Sequence, residues 1–137
     1  MSDTLIIIPT YNEIENIEPL TRAVIGASNE VDILIVDDNS PDGTGKKADE
    51  LESLEPRINV IHRNKKDGLG RAYIEGFHWA LNRKYEYIME MDCDFSHDPK
   101  EIENFRKKMK EGYDLILGSR YIDGIRVMNW PLSRLML

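Results

Sequence analysis

Five short apolar runs punctuate the sequence, at residues 5–8, 33–36, 58–61, 87–91 and 115–117, each rich in Ile, Val or Leu. Their apolarity is continuous rather than alternating, which predicts strands buried on both faces, as in a parallel sheet. Between them, apolar positions recur at helical spacing. A first helix is predicted after Asn16, with Ile17, Leu20, Val24 and Ala27 on one face. Pro19 falls in its first turn, where a missing N–H has no partner to lose. A second helix follows Asp42, with Ala48 and Leu51 inward. A third follows Gly68, with Leu69, Ala72, Tyr73, Gly76, Phe77 and Ala80 inward. The fourth has the clearest start: Asp98 as N-cap, Pro99 at the first helical position, then Glu101, ahead of a stripe of Ile102, Phe105 and Met109. The order βαβαβαβαβ predicts an α/β fold, a largely parallel sheet flanked by helices and joined by right-handed crossovers. Ligands of such sheets sit at the carboxyl ends of the strands, so functional side chains are expected just after each apolar run.

Length and composition narrow the class. A chain of 137 residues predicts one domain, residues 1–137. Apolar residues at 41% and charged residues at 31% are the balance of a soluble globular protein. With 18 basic against 25 acidic residues the net charge is −7, which argues against general binding of nucleic acid. The charge is uneven: from Arg120 onward three arginines and one aspartate give +2, leaving −9 on the rest. A locally basic end suits a phosphate. Cys93 is the single cysteine, so no internal disulfide forms and a reducing compartment is expected. The N-terminus has no basic n-region, and no apolar run approaches the roughly 18–20 residues that span a bilayer. A cytoplasmic location is therefore expected.

The residues after the apolar runs carry the candidate chemistry. Asp92 and Asp94 stand in an i, i+2 relation after the fourth run. Alone they repel each other; a hard divalent cation, Mg²⁺ or Mn²⁺, relieves the repulsion and bridges to a diphosphate. The plainer reading, two solvated acids in a turn, is the commoner fate of an isolated Asp-x-Asp pair, and its place after a buried strand moves the balance toward function. Asp37 and Asp38 follow the second run within a stretch rich in turn formers; Asp42 is explained as a helix cap, whereas Asp38 is free to accept from a nucleobase N–H or a ribose hydroxyl. After the first run, Tyr11 offers a ring for stacking and Glu13 an acceptor, or the segment is simply a loop. Gly68-Leu69-Gly70 behind Lys65-Lys66 reads as a helix start. There is no Gly-x-x-x-x-Gly-Lys-Ser/Thr stretch, which excludes a P-loop. His97 and Cys93 are too few for a soft metal site. Arg120 follows the fifth run and matches phosphate geometry, or forms a surface ion pair.

Taken in order, six segments resemble family-2 glycosyltransferases, and within them the polyprenol-phosphate (dolichol-phosphate) mannosyltransferases. They are Pro9-Thr10-Tyr11-Asn12-Glu13, Val36-Asp37-Asp38-Asn39-Ser40-Pro41-Asp42-Gly43-Thr44, Asp67-Gly68-Leu69-Gly70-Arg71-Ala72-Tyr73, Met91-Asp92-Cys93-Asp94-Phe95-Ser96-His97-Asp98-Pro99, Gly118-Ser119-Arg120-Tyr121 and Asn129-Trp130-Pro131-Leu132-Ser133-Arg134. The resemblance implies a GT-A (Rossmann-like) fold and inverting transfer of mannose from GDP-mannose to a lipid monophosphate at a membrane surface, with a divalent metal. It implies that Pro9, Tyr11, Glu13, Val36 and Asp38 hold the nucleoside. Asp92, Cys93 (by its backbone) and Asp94 would line the sugar-diphosphate site. Asp94 would be the main metal ligand, assisted by Asp92 and Ser96, and Arg120 and Arg134 would face the phosphates. Cys93 stands where the family commonly has Ala, and Ser96 where some members have Gln. Family members continue well past the Arg134 motif, so the chain resembles a C-terminally truncated member; residues 122–137 are expected to be loosely held, with Arg120 fixed near the acids. A UDP-glucose donor or a hydroxyl acceptor is the alternative within transferases. A non-catalytic nucleotide-sugar-binding module is the alternative outside them, and a nicotinamide oxidoreductase lacks its Gly-x-Gly-x-x-Gly.

Overall fold

The computed structural model describes residues 2–119. Four strands, β1 (Thr4–Thr10), β2 (Val31–Asp37), β3 (Ile58–His62) and β4 (Tyr87–Glu90), alternate with four helices: α1 (Ile17–Ala27), α2 (Thr44–Leu54), α3 (Leu69–Leu81) and α4 (Ile102–Lys110). A 3₁₀ turn, Pro99–Glu101, leads into α4, and the Asp98 side chain accepts from the Lys100 N–H as its cap. All pairings are parallel, and the strand order is β3-β2-β1-β4. Each of the four apolar runs 5–8, 33–36, 58–61 and 87–91 coincides with a strand, as the α/β reading requires.

The sheet is covered on both faces, which is why its central strands carry no polar alternation. Successive residues of β1 and β2 point to opposite sides. Ile6, Ile8, Ile33 and Ile35 pack with α1, α2 and α4 through Ile17, Leu20, Val24, Ala48, Leu51 and Ile102. Leu5, Ile7, Leu34 and Val36 pack with α3 through Ala72, Tyr73 and Ala80. Gly76 lets α3 lie directly on β1: a Cβ there would come within 2.7 Å of Ile7 Cγ2. At the amino edge, buried Arg106 ties α4 to the start of β1. Its guanidinium donates to Asp3 Oδ1 at 2.9 Å and to Thr4 Oγ1 at 3.3 Å, and it pairs with Glu30 at 2.7 Å.

Two expectations are corrected. Residues 115–117 form no strand; Leu115 and Leu117 are 75% and 78% exposed. A three-residue run has no shape of its own, and a strand exists only where a neighbour accepts its ladder; among the described residues β4 remains the sheet edge. Leu69 is not inward but 55% exposed. It occupies the first position of α3, beyond the part of that face which the sheet covers.

Candidate active site at the carboxyl edge of the sheet

The loops after β1, β2 and β4 gather where these parallel strands end. Each contains one non-glycine residue with positive φ: Asn12 at 58°, Asn39 at 56° and Phe95 at 59°. Asparagine tolerates this region, whereas a bulky side chain such as Phe95 adopts it at a cost. The first two loops are stitched together. The Asn12 N–H donates to Ser40 Oγ at 3.0 Å, the Glu13 N–H to Thr44 Oγ1 at 2.9 Å, and the Ile14 N–H to Asp42 Oδ2 at 3.2 Å. Asp42 also accepts from the Thr44 N–H at 2.9 Å, so it closes the turn into α2 and anchors the neighbouring loop.

The two acids at the end of β2 have different tasks. Asp37 is consumed by the turn, accepting from Thr10 Oγ1 at 2.9 Å and from the Ser40 hydroxyl at 2.6 Å. Asp38 is 5% exposed and accepts from Arg63 Nη1 at 2.7 Å. Arg63 follows β3 directly, and nothing in its own neighbourhood of sequence marks it; the signal is only that it succeeds a strand. A depression of about 270 Å³ adjoins the pair, lined by His62, Arg63, Asn64, Lys65 and Glu75. The larger concavity, about 510 Å³, lies at the opposite edge among Asp3, Glu30, Asp32 and Arg57, away from every motif. Tyr11 stands at the lip with Lys66 Nζ 4.1 Å from its ring centre. Pro9 and Val36 are interior and face each other in the β1–β2 register, so their side chains are not open to a ligand.

The second group of acids follows β4. Asp92 Oδ1 accepts from the Tyr73 hydroxyl at 2.9 Å, and the Asp92 N–H donates to His97 Nδ1 at 3.1 Å. Asp94 is exposed, and its Oδ1 accepts from the Ser96 N–H at 2.9 Å. Burial pushes the Asp94 carboxyl up, but hydrogen bonds from Ser96 and its own backbone, with His97 nearby, outweigh this and hold it below the usual carboxylate range. Burial pushes Glu13 up; a hydrogen bond from Asn16 opposes the shift, while Asp94, Asp42 and Asp92 add to it. Glu13 therefore feels the same negative region as the Asp-x-Asp pair. Cys93 is buried, and burial followed by Glu13, Asp94 and Asp92 raises its thiol, which leaves it an inert spacer. Among the described residues no group of three or more His, Cys, Asp or Glu is poised around a metal. Two carboxylates in a negative region still suit a hard cation that takes its other ligands from water and phosphate.

Tyr73, which the sequence places only in the core, joins Arg63 as a residue whose contact with the site has no local signal, whereas His97 stands beside the acid pair in sequence and meets it in space. Arg120 and Arg134 lie outside the described residues, as does the segment 122–137. Among the described residues no helix is long and apolar enough to cross a membrane.

Known proteins are similar to this chain in sequence and in fold. The chain is 51% identical over 98% of its length to a polyprenol monophosphomannose synthase of Mycolicibacterium smegmatis, and covers 51% of that protein. It is 48% identical over 97% of its length to an undecaprenyl-phosphate mannosyltransferase of Micrococcus luteus, covering 54% of it. The chain thus spans about half the length of the curated relatives it matches. Among solved structures, TarS of S. aureus superposes with a TM-score of 0.66 at 16% identity, over 90% of this chain and 40% of its own. The mannosyltransferase PcManGT of Pyrobaculum calidifontis, solved in complex with GDP-Man and Mn²⁺, superposes with a TM-score of 0.52 at 23% identity, over 57% of this chain and 24% of its own. The fold is the α/β fold with a parallel sheet expected from the strand pattern, and the GT-A fold that the resemblance implied. Residues 5–136 match the family described as "Glycosyl transferase family 2", and the chain belongs to it.

Proposed function

We propose that this chain is the nucleotide-sugar-binding part of a metal-dependent glycosyltransferase that passes mannose from GDP-mannose to a polyprenol monophosphate, with inversion at the anomeric carbon. One observation carries the reading. A desolvated acid, Asp38, and an acid pair, Asp92 and Asp94, share one sheet edge in a family member about half identical to two proteins named for polyprenyl-phosphate mannosyl transfer.

Asp38 would accept from the nucleoside, with Tyr11 stacking at the lip and Glu13 completing the wall. Pro9 and Val36 would contribute through the backbone alone. Asp94, with Asp92 and Ser96, would hold a divalent cation, Mg²⁺ or Mn²⁺, whose chemistry is to neutralise the leaving diphosphate as a Lewis acid. A phosphate acceptor is already anionic at neutral pH, so no general base is required. What it needs is compensation of charge and alignment for in-line attack, a role that suits Arg120 and Arg134. Such an acceptor lies in a lipid leaflet, so the protein would work as a peripheral partner of the cytoplasmic membrane face. This also accounts for a basic end on an otherwise acidic sequence.

The test is incubation of the protein with GDP-mannose, polyprenol phosphate and Mn²⁺, together with calorimetry of GDP and UDP. Mannosyl-lipid formation and tighter binding of GDP support the proposal. Tighter binding of UDP would overturn the donor, and metal-dependent GDP binding without turnover would reduce the chain to a binding module.

A further inference from the structure

The Asp-x-Asp carboxylates carry an electrostatic problem that Tyr73 addresses. Asp92 and Asp94 both lie close enough to Glu13 to act on it. A carboxylate in such company turns away from its neighbours unless something holds it. A lysine or arginine would hold it but would also supply the positive charge that a divalent cation is meant to bring. A neutral hydroxyl fixes the direction of the carboxylate and leaves its charge to be used.

Tyr73 is placed for this. It sits on the inner face of α3, 9% exposed, with its ring in the cluster of Leu5, Ile7, Leu34, Val36, Ala72 and Ala80. Its hydroxyl leaves that cluster and donates to Asp92 Oδ1 at 2.9 Å across 19 residues of sequence. The backbone of the same residue is held independently, the Asp92 N–H donating to His97 Nδ1 at 3.1 Å. Asp92 is therefore gripped by its side chain from α3 and by its backbone from within its own loop. The ring is locked by packing, and a locked donor fixes the acid's rotamer as partners of metal ligands do in general.

Resting on the reading that Asp92 and Asp94 share a divalent cation, we propose that Tyr73 is a positioning residue: its buried hydroxyl orients Asp92 for metal and nucleotide-sugar binding without itself touching either. The residue does not react; it acts through Asp92.

Tyr73→Phe removes one oxygen and keeps the ring, so the α3–β1 packing survives. The experiment measures Mn²⁺ affinity in the presence of saturating GDP by calorimetry, with thermal melting of each protein as the check on folding and Asp92→Asn as the companion variant. Loss of an oriented partner of a metal ligand typically weakens metal affinity about 10–100-fold. A tenfold or larger loss in Tyr73→Phe, with its melting temperature at or above that of the wild type, supports the proposal. Unchanged Mn²⁺ affinity in Tyr73→Phe alongside a clear loss in Asp92→Asn overturns it and leaves the metal reading standing. Unchanged affinity in both variants overturns the metal reading for Asp92 itself, and the proposal with it.

Discussion

Asp94 and Asp42 are both exposed acids in loops at one edge of the sheet, yet the structure gives them opposite prospects. Asp42 is bonded to Ile14 and Thr44, so its charge is spent on holding the backbone. Asp94 accepts from Ser96 and from its own backbone within a single turn, and its side chain stays exposed. Asp94→Ala is therefore expected to remove Mn²⁺-enhanced GDP binding with little change in melting temperature; calorimetry with and without Mn²⁺ decides it. Asp38→Ala is expected to weaken GDP binding more than Asp42→Ala. The N-cap of α2 is Gly43 rather than Asp42, and Asp42→Ala should instead cost about 1–2 kcal/mol of stability through the lost bonds to the Ile14 and Thr44 N–H groups. Paired denaturation and binding curves in the reverse order would show the two roles exchanged. The placement of these acids at the carboxyl edge was legible because they directly follow buried runs. Their partners were not. Arg63 reaches Asp38 across 25 residues and Tyr73 reaches Asp92 across 19, and no local pattern encodes which long side chain will meet which carboxylate.

Elements were legible where local chemistry specifies them. Asp98-Pro99 announces a helix start through a cap acceptor and a residue that donates nothing, and the turn into α4 begins there. The runs at 5–8 and 33–36 are long and apolar enough to demand cover on both faces. The run at 115–117 is neither, and whether it pairs depends on a neighbour rather than on its own residues. Arg106 is the instructive failure of periodicity. It shares a face with Ile102 and is buried like it, because Asp3, Glu30 and Glu103 supply its counter-charge. At Gly76, α3 meets Ile7 of β1 with no room for a Cβ. Gly76→Ala is expected to destabilise the protein by about 1–3 kcal/mol despite the better helix propensity of alanine, because the added methyl overpacks the interface. Chemical denaturation of the variant measures it, and a gain in stability would mean that the two elements separate more easily than the packing implies.

For the molecule as a whole, the acidic balance makes the proposed nucleotide binding conditional on a cation. Among the described residues Glu13, Asp92 and Asp94 face the same region, so a diphosphate arriving without a cation meets like charge. GDP at 100 times its Kd should stabilise the protein by about 2.7 kcal/mol when Mn²⁺ is present. For a chain of this size that is a rise in melting temperature on the order of 10 °C. Adding chelator should remove most of the rise; a shift independent of metal would count against the acid pair as the cation site. The sheet order carries one more consequence. β1 lies between β2 and β4, so during synthesis it waits for residues 87–90 before its second edge is filled. Until then an almost wholly aliphatic ribbon with unpaired amides is open to any other extended chain. The nascent protein is thus most vulnerable to misassembly after β3 has docked and before β4 arrives, and it is in that interval of synthesis that a chaperone would find most to hold.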